Sequence, residues 1–165
     1  MTLRWTGGCQ CGAVRYEMLE RPEGAHICHC RMCQKHFGSF FAALVELPRG
    51  AFRLTRGEIS TFESSANIYR GFCKSCGTPL SLDSSAEDKF YIAIATMDDY
   101  SEFAPKVQYG IESRHAFVQN LHSLPGFVSG DDANGHTEFA EMLPCIKSTA
   151  RQHPDHDTKE WPPRP

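Results

Sequence analysis

Seven cysteines fall into three tight groups: Cys9 and Cys11 in 7-GGCQCG-12, Cys28, Cys30 and Cys33 in 28-CHCRMC-33, and Cys73 and Cys76 in 73-CKSCG-77. Thiolates spaced this closely on a tight turn can face a single ion at about 2.3 Å while backbone N–H groups point at the sulfurs. Metal ligation is the chemistry such groups suggest. Glycine permits the turn, and Gly8, Gly12 and Gly77 flank the two outer pairs. Gly77 directly follows Cys76, where a residue must adopt positive φ.

Seven thiolates cannot fill two four-thiolate sites. The outer pairs both read as knuckles, and Cys9, Cys11, Cys73 and Cys76 together make one closed tetrahedral zinc site that staples the N-terminal strand to the middle of the chain. Cys28, Cys30 and Cys33 then hold a second zinc through three thiolates, with a fourth position open to water or substrate. Disulfides would leave an odd thiol among the seven, and a thioredoxin-like pair at Cys73 and Cys76 needs a βαβ context that the pattern lacks. Cys145 stands apart and is expected to be a small buried hydrophobe. His29 is expected to point away from the ion shared by its neighbours, packing beside the site or reaching the surface. His26 and His36 are read as structural or solvent-exposed.

The elements that must position these groups are mostly strands. Gly, Pro and Ser interrupt short runs rich in aromatic and β-branched residues at 12–18, 39–47, 52–56, 67–72 and 89–97. In 89-KFYIAIATM-97 apolar residues occupy both faces of a period-2 pattern, which predicts a buried central strand. No strand alternates with a long amphipathic helix, so the fold is expected to be mainly β. Phe139, Met142, Leu143 and Ile146 recur at helical spacing around Pro144, predicting one short, kinked or broken helix. The tail 153-HPDHDTKEWPPRP-165 carries four prolines among its charges and is expected to stay loose.

The chain has 165 residues, a length that suits one folding unit. Its formal net charge is -3 with scattered Lys and Arg, which argues against a nucleic-acid or anionic-membrane surface. The N-terminus shows no cationic segment leading into an apolar run, so a soluble cytoplasmic protein is expected.

Taken together, GGCQCGAVRY, CHCRMCQKHFG and FCKSCGTPL resemble the glutathione-dependent formaldehyde-activating enzyme family, also called the centromere protein V/formaldehyde-activating domain. The resemblance spans roughly residues 5–125 and leaves 126–165 as a C-terminal extension with a short helix and a Pro-rich tail. It implies an Mss4-like, zinc-stapled β fold with short helices. It also implies two zinc ions, a structural one on Cys9, Cys11, Cys73 and Cys76 and a catalytic one on Cys28, Cys30 and Cys33. The activity implied is reversible addition of glutathione to formaldehyde, classed in reverse as a carbon–sulfur lyase. The partner implied is therefore a small thiol such as glutathione. A non-catalytic zinc module used for interaction is the alternative, though the sequence lacks the basic surface that chromatin or microtubule binding would need. A glutathione pocket should offer cationic or N–H groups for two carboxylates. Arg70, Lys106 and Arg114 are candidates, each read more readily as a solvated surface charge.

Overall fold

The structure, a computed structural model, describes residues 5–128 and 137–149. Among these residues ten strands and two α-helices follow one another. The first strands are β1 (Trp5–Gly8), β2 (Arg15–Met18) and β3 (Glu23–Cys28), then helix α1 (Arg31–Phe37), β4 (Ala42–Pro48) and β5 (Phe52–Arg56). Next come β6 (Ser60–Ser65), β7 (Ile68–Phe72), β8 (Pro79–Ser84), β9 (Lys89–Ala93), β10 (Val107–Tyr109) and helix α2 (Thr137–Thr149). The mainly β fold expected from the sequence is the fold observed. Three strands form a small sheet in the order β1-β2-β5, and seven form a larger one in the order β10-β3-β4-β9-β8-β7-β6.

Strand β9 is the fourth of the seven, the central place predicted for it. It is shorter than the apolar run suggested. The Thr96 hydroxyl donates to the Ala93 carbonyl at 2.8 Å, and residues 94–96 close into a 3-10 turn. Pairs in the large sheet are antiparallel except for β10, which lies parallel to β3 with Tyr109 opposite Cys28.

The large sheet has two differently used faces because successive side chains alternate across it. On β4, Val45 and Leu47 point into a core shared with Tyr16 and Met18 of β2, Leu80 of β8 and Ile92 of β9. Truncating a buried leucine in that core, as in Leu80→Ala, would cost about 2–5 kcal/mol. Ala42 and Leu44 point the other way and pack with Cys33 of α1. Gly7 lets β1 lie against the turn that follows β9: a Cβ there would sit 2.4 Å from the Thr96 carbonyl oxygen and 2.3 Å from the Tyr16 hydroxyl oxygen. That hydroxyl in turn lies 2.9 Å from Thr96 Oγ1.

Helix α1 has only seven residues and no apolar stripe, and its ends define it. Cys30 caps the start, its sulfur accepting from the Cys33 N–H at 3.4 Å, and Gly38 at φ 55° ends it in the left-handed region. Helix α2 runs on through Pro144 for thirteen residues, so the short helix expected there is longer than its pattern. Cys145 on this helix is exposed, which corrects its reading as a buried hydrophobe. The tail from 153 onward lies outside the described residues. No described helix is long and apolar enough to cross a membrane.

Candidate metal centres and adjoining groove

The two outer cysteine pairs sit on matching turns. Cys9 and Cys73 each accept a backbone hydrogen bond at their carbonyl from the glycine that follows the pair, Gly12 N–H at 3.1 Å and Gly77 N–H at 2.8 Å. Both glycines are left-handed, at φ 78° and 77°. Each first cysteine also donates its own N–H across the turn, Cys9 to Val14 O and Cys73 to Thr78 O, both at 3.0 Å. The pseudo-repeat seen in the sequence is thus repeated in three dimensions, at the end of β1 and between β7 and β8.

The two turns face each other, and the sulfurs of Cys9, Cys11, Cys73 and Cys76 all lie within 4.8 Å of one another. Cys9 and Cys11 Sγ are 3.5 Å apart and Cys11 and Cys73 Sγ 3.9 Å. A tetrahedron with bonds of about 2.3 Å has edges of about 3.8 Å, so this donor set fits a zinc ion with little adjustment. Val14 N–H points at Cys9 Sγ from 3.2 Å. Cys9 and Cys73 are buried, while Cys76 reaches the surface beside the Thr78 hydroxyl at 3.0 Å. Burial pushes the thiols of Cys11 and Cys73 up. Burial acts the same way on Cys76, but hydrogen bonds from Thr78 outweigh it and draw that thiol down to about 6.

Cys28, Cys30 and Cys33 form the second group, again with all sulfurs within 4.8 Å. Cys28 ends β3, Cys30 caps α1 and Cys33 lies in the first turn of that helix, buried against Leu44. The hydrogen bond between Cys28 and Cys33 draws the Cys28 thiol down to about 5 and pushes Cys33 up. Hydrogen bonding from its neighbours thus favours the thiolate form at Cys28 over Cys33. Three soft thiolates fit zinc, and an ion entering here must displace the remaining protons.

Behind the second group stands Arg70 of β7, the residue that sequence reasoning placed at the surface. It is 2% exposed. Nη1 and Nη2 each lie 3.7 Å from Cys33 Sγ, and Nε donates to Ser64 Oγ at 3.0 Å. A guanidinium stays charged when buried, so it needs acceptors around it, and Cys33 Sγ and Ser64 Oγ take N–H groups from it. The signal in the sequence is an arginine inside the apolar strand 67-NIYRGF-72, three residues before Cys73. Lys106 is exposed as expected, and Arg114 reaches Gln108 Oε1 at 3.4 Å.

His29 is fully buried but stands apart from the sulfur group. Its Nε2 donates to Gln108 Oε1 at 2.8 Å. Its backbone N–H donates to Tyr109 O at 2.9 Å, and Gln34 Nε2 bridges His29 O and Ser113 O at 2.8 and 3.0 Å. Gly110 is packed so tightly that a Cβ there would lie 2.9 Å from Cys30 N. Residues 108–113 thus clamp the cysteine loop from outside, a role that no local pattern announces. His26 is buried and donates from Nδ1 to Gly24 O at 2.7 Å, which leaves Nε2 as an acceptor. His36 is half-buried, and burial followed by repulsion from Arg70 lowers its pKa to about 4.

An open groove of about 880 Å3 runs along the second face of the large sheet, lined at one end by Cys28 and Cys33. Tyr109, paired with Cys28, lies at that same end, His26, Leu44, Leu82 and Tyr91 come next, and Glu46, Glu87, Asp88 and Lys89 line the rest.

The family model for glutathione-dependent formaldehyde-activating enzyme matches residues 4–114, which takes in both cysteine groups and the whole of the large sheet. The chain belongs to that family. A protein of Penicillium rubens whose name assigns it to the same enzymes is 34% identical over 76 residues, covering 44% of this chain and 40% of that protein. One from Colletotrichum graminicola, named in the same way, is 34% identical over 73 residues, covering 42% and 38%. The chain thus matches about two fifths of the length of these relatives. A Rhodobacter sphaeroides protein of solved structure is similar at 22% identity with a TM-score of 0.49, over 62% of this chain and 98% of that one.

Proposed function

We propose that this family member is a zinc-dependent enzyme that makes and breaks the carbon–sulfur bond in a thiol adduct of formaldehyde or a related small aldehyde, with glutathione or another thiol as the partner. In the forward direction the sulfur adds to the carbonyl carbon, the C=O double bond becomes a single bond, and the thiol proton ends on the oxygen. Reversal is a carbon–sulfur lyase reaction, and neither direction needs an oxidant or reductant.

The observation that carries the reading is the incomplete shell. Cys28, Cys30 and Cys33 would hold one ion with three thiolates and leave a position facing the groove, whereas Cys9, Cys11, Cys73 and Cys76 would close a second, structural ion. Zinc held in the open shell would lower the pKa of a bound thiol and polarise a carbonyl oxygen. Three thiolates leave that ion a formal charge of -1, and the Arg70 guanidinium beside Cys33 cancels it. Leu44 and Leu82 give the groove an apolar wall next to Cys28. His26 Nε2 is placed to accept a hydrogen bond from an adduct hydroxyl.

The test is zinc-edge X-ray absorption on the protein titrated with glutathione and related thiols, with adduct formation followed in parallel against Cys30→Ser. A new sulfur on zinc and a rate above the uncatalysed one in the wild type support the enzyme. If zinc gains no sulfur and both proteins give only the uncatalysed rate, a non-catalytic zinc module becomes the better account.

A further inference from the structure

Two cavities border the contact between Cys33 and Arg70. Cys33 lines the large groove, and Arg70 lines a smaller pocket of about 310 Å3 between helix α1 and the last two strands of the large sheet. The helix contributes Arg31, Met32 and Lys35 to this pocket, β6 contributes Phe62 and Ser64, and β7 contributes Arg70. Arg31 and Lys35 are four residues apart on α1, so both cations stand on one face of the helix.

The donors in this pocket outnumber the acceptors. No carboxylate is among its described lining residues. Arg31 Nη1 donates to the neutral Gln34 Oε1 at 3.1 Å, and Lys35 is exposed with no hydrogen bond or ion pair among the described residues. Arg70 is the telling case, because it is 2% exposed. A guanidinium has five N–H groups. One goes to Ser64 Oγ, one from each terminal nitrogen goes to Cys33 Sγ, and two are left without an acceptor among the described residues. Buried N–H groups left unpaired are costly, so an anion that accepts them is stabilised twice, by the hydrogen bonds and by the surrounding charge.

We propose that this pocket holds a carboxylate of the thiol substrate, with Arg70 as its floor and Arg31 and Lys35 as its rim, and so selects acidic thiols such as glutathione. This rests on the reading of the three-cysteine group as an open zinc site. A thiol sulfur on that ion would stand about 3.8 Å from Cys33 Sγ, one edge of the coordination tetrahedron. Adding the 3.7 Å from Cys33 to Arg70 and about 2.9 Å for a hydrogen bond puts an accepting carboxylate oxygen no more than about 10 Å from the sulfur. The two carboxylates of extended glutathione lie about 7 and 10 Å from its sulfur, so the molecule spans the distance. Arg31 and Lys35 are exposed, so their share is modest and screened by salt, about three- to tenfold in affinity at low ionic strength.

The experiment uses the zinc-loaded full chain and three probes: glutathione, glutathione diethyl ester, in which both carboxylates are capped, and 2-mercaptoethanol. Dissociation constants are read from the zinc-edge sulfur signal at low and high salt, in wild type, Lys35→Gln and Arg31→Gln/Lys35→Gln. The decisive quantity is the ratio of the ester's constant to that of glutathione, because any effect of the lost cations on the ion itself acts on both and cancels. The expected result is that this preference for the free acid falls about three- to tenfold in the double variant, falls less in Lys35→Gln, and shrinks with salt in the wild type. An unchanged ratio, or an equal loss of affinity for 2-mercaptoethanol, overturns the carboxylate assignment and leaves the enzyme reading standing. If none of the three thiols reaches zinc in the wild type, the open-site reading fails and this inference falls with it.

Discussion

Arg70 holds both terminal nitrogens 3.7 Å from the sulfur of Cys33, thirty-seven residues earlier in the chain, at a place almost closed to water. With a metal ion holding Cys33 as a thiolate, each member of the pair would explain the other: the guanidinium makes the thiolate tolerable in the interior, and the thiolate makes the guanidinium tolerable. Charge-assisted hydrogen bonds of this kind contribute about 1.5–3 kcal/mol.

Arg70→Met keeps the volume and removes the charge. Zinc affinity at the three-cysteine group is expected to drop about ten- to hundredfold, following that energy range. Competition with a chromophoric chelator measures it, and the four-cysteine site serves as an internal reference that should not move. Equal zinc affinity in the variant would deny Arg70 any part in holding the charge of the site.

The two cysteine groups should also respond differently to mutation. Cys73→Ser breaks the tie between β1 and the β7–β8 turn and is expected to unfold or aggregate the protein, since structural zinc in small domains contributes roughly 10 kcal/mol, a typical domain's whole stability. Cys30→Ser is expected to lose the second zinc and keep the fold. Melting curves with metal analysis compare them, and a Cys73→Ser variant that melts like wild type would remove the structural assignment.

How much of this was legible in the sequence follows from how local each signal is. The knuckles could be read because each pair of thiols and its glycine lie within five residues, and the central strand because β9 has apolar residues on both faces. Strands β3, β6, β8 and β10 were not foreseen. Glu23–Cys28 is interrupted by a glycine, and Val107–Tyr109 is exposed and recognisable only through its pairing with β3. Arg70 was misjudged because burial of a charge is decided by a partner elsewhere in the chain. Cys145 was misjudged because α2 continues past Pro144 and leaves that thiol facing solvent.

Acid should weaken the fold through His36. Its native pKa of about 4 lies below the ordinary 6.5, so the unfolded chain binds the extra proton first as pH falls. The stability it protects is complete above pH 6.5 and is lost progressively between 6.5 and 4. Urea melts of wild type and His36→Phe across that window should give a shallower pH slope for the variant; parallel slopes would show that His36 plays no part.

Gly77→Ala isolates the backbone of a knuckle. Nothing lies within 4 Å of the added methyl, yet φ is 77°, so the whole cost is conformational, about 1–2 kcal/mol. Denaturant midpoints measure it. A neutral result would mean that the turn relaxes without disturbing Cys73 and Cys76.

The clamp on the cysteine loop sets an order of events during synthesis. All three thiols of 28-CHCRMC-33 have emerged once residue 33 is made, but Arg70 and the segment from Gln108 to Ser113 follow much later. The four-cysteine site has every donor by residue 76, before β9 and β10 exist. A nascent chain can therefore close its staple while the three-thiol loop still lacks both its counter-charge and its outer support. The site read as reactive becomes rigid last, after the sheet that carries its groove is complete.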